Sequence, residues 1–134
     1  MQIVSALFID DIQMRTLPGP TTRIDLTGVQ FSSTAPQEPP LTWAPHLSVI
    51  VSCAADDTSS GVLEVRYLRD GEQIARNVQP LEIEPGKFNQ RLVRGEIDFD
   101  DYGTVEAHCR IDQGPVVVVP YTMLPAPEAP PADG

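Results

Sequence analysis

His108 and Cys109 are adjacent in the sequence and would supply a base and a nucleophile if their side chains met. A cysteine activated by a nearby histidine is a common nucleophile in enzymes. The surrounding residues alternate between apolar and polar types, which predicts a β-strand. Successive side chains of a strand point to opposite faces, so these two residues cannot form a dyad. A thiol buried in apolar surroundings is also unreactive, and no catalytic cysteine is predicted.

Acidic residues in the predicted turns are the candidate metal ligands. Asp98, Asp100 and Asp101 lie close together in the sequence, and Ca²⁺ takes six to eight oxygen ligands, often from convergent loops. The stretch lacks the D-x-D-x-D-G pattern of an EF-hand loop. A calcium-binding module that uses these three aspartates is therefore one hypothesis, and acids that are simply solvated in turns are the other. Zinc is not predicted, because no Cys-x-x-Cys or paired histidine is present.

Catalytic motifs are missing from the sequence. It contains no glycine-rich phosphate loop, no G-x-S-x-G and no H-E-x-x-H. We therefore expect a protein without a cofactor and without enzymatic activity, and a small enzyme is only the third hypothesis.

The composition limits the kind of partner. The chain has 134 residues and carries 19 acids against 9 bases, a formal net charge of -10. Proteins that bind nucleic acid depend on neutralising phosphates, so nucleic-acid binding is not expected. The 14 prolines argue against long helices, because proline interrupts the hydrogen bonds of a helix interior.

Short strand signals recur between clusters of Pro, Gly, Asp and Ser, which is typical of an all-β sandwich. The predicted strands are 2–9, 23–31, 47–53, 62–68, 73–78, 104–111 and 116–123, with weaker signals at 81–84 and 87–94. The proline-rich stretch 32–45 is predicted to be a loop. We expect an antiparallel sandwich of about seven to nine strands.

The alternation within the central strands predicts their buried and exposed faces. Apolar side chains share one face: Leu47, Val49, Val51, Cys53, Leu63, Val65, Tyr67, Val105, Ala107, Cys109 and Ile111. On the other face, Arg66, His108 and Arg110 join Glu64 and Glu106 in a mixed-charge surface.

The last predicted strand is apolar on both faces. Its residues 116–119 are four valines, flanked by Pro115 and Pro120. An apolar edge strand tends to pair with another chain unless its ends are blunted. The candidate interface consists of Val117 and Val119 with Arg66, His108 and Arg110. We expect a non-enzymatic interaction or assembly module that binds a protein partner or forms a homodimer.

This strand order resembles an immunoglobulin-like sandwich. Tyr67 follows Cys53 at the spacing where such domains place their core tryptophan, and Tyr-Leu-Arg-Asp-Gly-Glu looks like their next turn. The segment Asp-Tyr-Gly-Thr-Val-Glu-Ala-His-Cys looks like their approach to the second cysteine, although Ala107 stands where they have a tyrosine.

The chain also resembles, over most of its length, a family of small uncharacterised bacterial β-sandwich proteins. The matching segments are Ala-Leu-Phe-Ile-Asp-Asp, Leu-Thr-Gly-Val-Gln-Phe and the stretch from Tyr102 to Val117. These are turn and core signals, so they support the fold and imply no chemistry.

Cys53 and Cys109 are expected to point inward from the two sheets of such a sandwich. A disulfide between them would close a long loop and add about 4 kcal/mol of stability. In a reducing compartment they would instead be buried free thiols. Both alternatives remain open from the sequence.

The N-terminal apolar run is short, has no preceding base and leads directly into Asp10 and Asp11. It therefore predicts a strand rather than a signal peptide, and no stretch has the length of a membrane span. We expect a cytoplasmic protein with no membrane association, one domain over 1–124 and a flexible Pro/Ala-rich tail over 125–134.

Overall fold

The computed structural model describes residues 1–19 and 21–126 of the chain. These residues form strands and contain no helix, so the all-β prediction is confirmed. The strands are β1 Gln2–Ile9, β2 Asp11–Leu17, β3 Thr21–Thr27, β4 Ser32–Thr34, β5 Leu41–Trp43, β6 His46–Ser52, β7 Ser60–Arg69, β8 Glu72–Glu82, β9 Phe88–Arg94, β10 Ile97–Phe99, β11 Gly103–Ile111 and β12 Val117–Leu124.

Two larger sheets carry most of these strands. The five-stranded sheet has the order β4-β12-β11-β7-β8, and the three-stranded sheet has the order β1-β6-β9. Two-stranded sheets are formed by β2 with β3 and by β5 with β10. Strand β4 runs parallel to β12, whereas the other pairs are antiparallel.

One apolar core lies between the two larger sheets, in a sandwich-like arrangement. Leu47 and Val49 of β6 lie in the same buried cluster as Val65 of β7 and Ala107 of β11. The faces predicted from alternation are correct for β6, β7 and β11, whose inward side chains are buried. Tyr67 is fully buried, and its ring lies so close to Gly95 that a Cβ there would be 2.7 Å from it.

Several strands were not predicted from the sequence. The expected loop 32–45 contains β4 and β5, and β2 and β10 also gave no clear signal. Three of these four strands are only three residues long, so their side chains show too few alternations to be recognised. The expected flexible tail lies mostly outside the described residues.

Asp10 is the corner at which the chain leaves the three-stranded sheet. Its backbone N–H donates to the carbonyls of Thr27 and Gly28, at 3.0 and 3.1 Å. Gln30 then donates its N–H to the carbonyl of Phe8 at 2.9 Å and its side-chain amide to Asp10 at 2.7 Å. The hairpin of β2 and β3 is therefore anchored to β1 both where the chain enters it and where the chain leaves it.

Gly28 is required at this corner for two reasons. Its φ of +66° is unfavourable for a residue with a side chain, and a Cβ would overlap the Asp10 carboxylate. Gly86 has a similar φ of +85°, but open space surrounds its Cα.

We predict that Gly28→Ala lowers the free energy of unfolding by about 2–4 kcal/mol, because overpacking adds to the cost of the left-handed backbone. The matched control Gly86→Ala should cost only about 1–2 kcal/mol, because it carries the backbone cost alone. Urea denaturation followed by circular dichroism measures both values. Equal losses would show that the contact with Asp10 contributes nothing.

Candidate functional site

The outer face of the five-stranded sheet carries the predicted mixed-charge surface. In the strand register, His108 lies between Val118 of β12 and Arg66 of β7. Arg110 lies beside Glu64 in the next row. The structure therefore brings Arg66, His108 and Arg110 together on adjacent strands.

Glu64 organises the charges at one end of this face. Arg76 donates to its carboxylate at 2.6 and 2.9 Å, and Arg110 donates at 3.2 Å. The hydrogen bonds from Arg76 hold the pKa of the Glu64 carboxyl below its usual value. Arg76 and Arg110 are thus held in place by one carboxylate between them.

His108 and Arg66 form weaker contacts nearer the middle of the face. The Nε2 atom of His108 is 3.4 Å from the Glu106 carboxylate, and Arg66 donates to the Gln73 side chain at 2.8 Å. Both side chains remain partly accessible. The guanidinium group of Arg66 and the imidazole of His108 therefore lie in the same row of the sheet as Val118.

Strand β12 has a free edge over its first half. The N–H of Thr122 donates to the carbonyl of Phe31, and the Leu124 carbonyl accepts from Ala35, so the even-numbered residues direct their backbone groups away from β11. Strand β4 pairs with β12 only at Thr122–Leu124. The backbone groups of Val118 and the carbonyl of Pro120 therefore have no strand partner in the described part of the chain.

The side chains of β12 divide between the core and the surface. Val119 is only 4% exposed and belongs to the core, and Val117 packs against that core. Val116 and Val118 are exposed, the latter by 45%. The predicted interface residues Val117 and Val119 direct their backbone groups toward β11, so the side chains and backbone groups available to a partner are those of Val116 and Val118. The alternation that ends at the buried Tyr121 and Met123 was the signal that could have identified them.

Strand β8, at the opposite edge of the same sheet, repeats the arrangement of β12. Val78 is 46% exposed, and Pro80 follows two residues later, as Pro120 follows Val118. The Val62 carbonyl points toward β11, where it accepts from Asp112. By alternation through β7, the backbone groups of Val78 and Pro80 face the outer edge. Each edge thus has a proline in place of an outward N–H group.

The two cysteines are free and buried. The Sγ atom of Cys53 is 3.4 Å from the carbonyl of Thr58, to which it donates. Burial raises the pKa of the Cys109 thiol from 9.0 to about 12, which keeps it protonated and unreactive at neutral pH. His108 lies on the outer face, away from this thiol.

The three candidate calcium ligands make separate contacts. Asp98 accepts a hydrogen bond from the Thr42 hydroxyl at 2.7 Å, and Asp101 accepts from the N–H of Tyr102 at 2.8 Å. Asp98 and Asp100 line an open depression of about 370 Å³. Within residues 1–19 and 21–126, no three acids, histidines or cysteines gather as they would around a metal ion. The calcium hypothesis therefore gains no geometric support.

No protein-family model matches this sequence, and a search of curated proteins finds no similar chain. The resemblance to the bacterial β-sandwich family therefore remains a prediction. The part of the chain that the structure describes contains no helix long and apolar enough to cross a membrane. The cytoplasmic location also remains a prediction.

We predict that the protein loses stability as the pH rises from about 9 to about 12. The Cys109 thiol ionises more readily in the unfolded chain, because its pKa is raised in the folded state. Deprotonation therefore favours unfolding, by about 1.4 kcal/mol per pH unit for each such group. The burial that raises the pKa of Tyr67 acts in the same direction.

Urea denaturation of the wild type and of Cys109→Ala across this pH range tests the prediction. The variant should be less stable at neutral pH but show a shallower alkaline decline. Val105→Ala, a truncation of another buried side chain in β11, should be less stable with an unchanged decline. A Cys109→Ala decline as steep as that of the wild type would contradict the prediction.

Proposed function

We propose that this chain is a non-enzymatic protein-interaction module with an immunoglobulin-like fold, which assembles through the free edge of β12. The fold proposal is supported by the order β1-β6-β9 in one sheet and β12-β11-β7-β8 in the other. Cys53 follows β6 and Cys109 lies in β11, as the cysteines of such domains do, and Tyr67 lies in the intervening β7.

The observation that carries the functional proposal is the unpaired edge of residues 116–120 beside two exposed valines. Unpaired backbone groups on an edge strand accept an added strand, with hydrogen bonds supplying affinity and side chains supplying specificity. The available groups are limited by Pro120, which has no N–H, and by Phe31, which occupies the N–H of Thr122. An added strand would therefore be short.

A second copy of the chain fits this edge best. The free stretch 116–120 has Val118 at its centre, so two copies related by a two-fold axis would pair Val118 with Val118. These two residues would exchange both of their backbone hydrogen bonds. The N–H of Val116 would donate to the Pro120 carbonyl of the other copy, and the missing N–H of Pro120 would leave only the Val116 carbonyl to solvent.

The neighbouring side chains also suit such a pairing. Val118 of each copy would contact its counterpart on the outer face, because directly opposed side chains in a sheet interact. His108 and Arg66 lie in the same row. They place cationic or ionisable groups near the contact between two chains that are otherwise acidic.

We predict that Val118→Pro converts a dimer of the wild-type chain into a monomer. The substitution removes the N–H group that would be exchanged at the two-fold axis. It should preserve the fold, since this group points away from β11. Size-exclusion chromatography with light scattering measures the mass, and circular dichroism checks the fold.

Val78→Pro is the matched control. Val78 has nearly the same exposure, 46% against 45%, and the same Val-x-Pro context on the opposite edge of the sheet, and its substitution should leave the dimer intact. A wild-type chain that stays monomeric at its highest soluble concentration would refute self-assembly. A dimer that survives Val118→Pro with its fold intact would refute the role of this edge.

A further inference from the structure

Strand β9 forms a second free edge, on the three-stranded sheet. The carbonyl of Lys87 accepts a hydrogen bond from the N–H of Cys53 at 2.9 Å, so residue 87 directs its backbone groups toward β6. By alternation, Phe88, Gln90, Leu92 and Arg94 direct theirs outward. The N–H of Gln90 is bound by the Asn89 side chain at 2.8 Å. The outward groups of Leu92 and Arg94 have no strand partner among the described residues.

The outer face of β9 carries two exposed apolar side chains. Phe88 is 66% exposed and Leu92 is 40% exposed. Beside them, Met14 and Ile24 of the hairpin form with Ile50 and Phe88 a groove of about 360 Å³. A segment lying along β9 would therefore contact apolar surface as well as free backbone groups.

The charge of this edge is opposite to that of the chain as a whole. Strand β9 contains Arg91 and Arg94 and no acid, in a chain with a net charge of -10. Arg94 is exposed and forms no ion pair within the described residues. The Nε atom of Arg91 is shielded from solvent without an acceptor there, and its Nη2 atom is 3.4 Å from the Pro80 carbonyl. The edge is thus complementary to a negatively charged segment.

We propose that the free edge of β9 and the adjacent groove bind an extended acidic segment of another protein as an added antiparallel strand. This site is independent of the β12 edge. The side chains on the outer face of β9 determine which residue types the bound segment needs at each position. Arg94 selects an acidic residue opposite it, and Leu92 and Phe88 select apolar residues two and six positions later.

A second copy of this chain fits the β9 edge less well than a foreign segment does. Strand β8 has an acid and apolar residues at the required spacing, in Glu72, Ile74 and Val78. Arg76 lies between them and would bring a further cation to β9. Pro80 also removes one N–H from that edge.

The test uses a labelled ten-residue peptide with one glutamate, then valines two and six positions later, and threonine elsewhere. Binding is measured by fluorescence anisotropy, on the wild type and on the Val118→Pro variant to exclude effects of β12. Amide resonances followed by NMR should shift at Leu92 and Arg94. Arg94→Glu should weaken binding about tenfold, because reversal replaces an attraction by a repulsion.

Exchanging the charges of the peptide and of residue 94 distinguishes a lost charge contact from a loss of structure in the variant. The peptide with lysine in place of glutamate should bind the wild type poorly and bind Arg94→Glu about as well as the original pair. Arg23→Glu changes an exposed arginine on the hairpin and should leave the binding of both peptides unchanged.

Four outcomes would overturn the proposal. The first is no shift at β9 with saturating peptide, and the second is equal binding of the glutamate and lysine peptides by the wild type. The third is self-association of the wild type that both Arg94→Glu and Glu72→Lys abolish, which would assign the edge to a second copy. The fourth is Arg94-dependent binding to phosphatidylglycerol vesicles without peptide binding, which would assign it to an anionic membrane.

Discussion

The two-residue period of the β-strand governs both the interior and the edges of this protein. Along a strand, successive side chains point to opposite faces, and successive backbone groups point to opposite edges. In β12 this places Val119, Tyr121 and Met123 in the core and directs the backbone groups of Val118 and Pro120 to the free edge. A shift of one residue in the register would bury the outward valines and expose the core. The same alternation therefore determines stability and the surface available to a partner.

The parts of the fold that could be predicted are those where this period is visible over several residues. Strands β6, β7 and β11 each show at least three alternations, and their buried residues were identified correctly. The hairpin strand β2 was missed, since it carries Ile12 and Met14 among polar residues and none of its side chains is buried in the core. Strands β4, β5 and β10 depend on their neighbours for their extended form, and that information is not local.

The candidate sites show the same limit. The charges of Arg66, His108 and Arg110 could be placed on one face from alternation within single strands. The unpaired backbone groups could not be predicted in this way. They depend on the order of strands in the sheets and on the path of residues 28–31, which cross from β1 to β12. The second free edge, on β9, was invisible for this reason. Its basic and apolar residues indicate a binding site only when the strand order shows that β9 has no neighbour on that side.

The Val-x-Pro pattern on β8 and β12 has a consequence for the behaviour of the protein at high concentration. Fibril growth requires each added strand to offer the next one a continuous row of donors and acceptors. The five-stranded sheet interrupts that row on both sides, at Pro80 and at Pro120, while its valines leave room for a brief contact. The prolines thus shorten the continuous row on each edge, so that hydrogen bonding to an added strand would be interrupted at Pro80 or at Pro120.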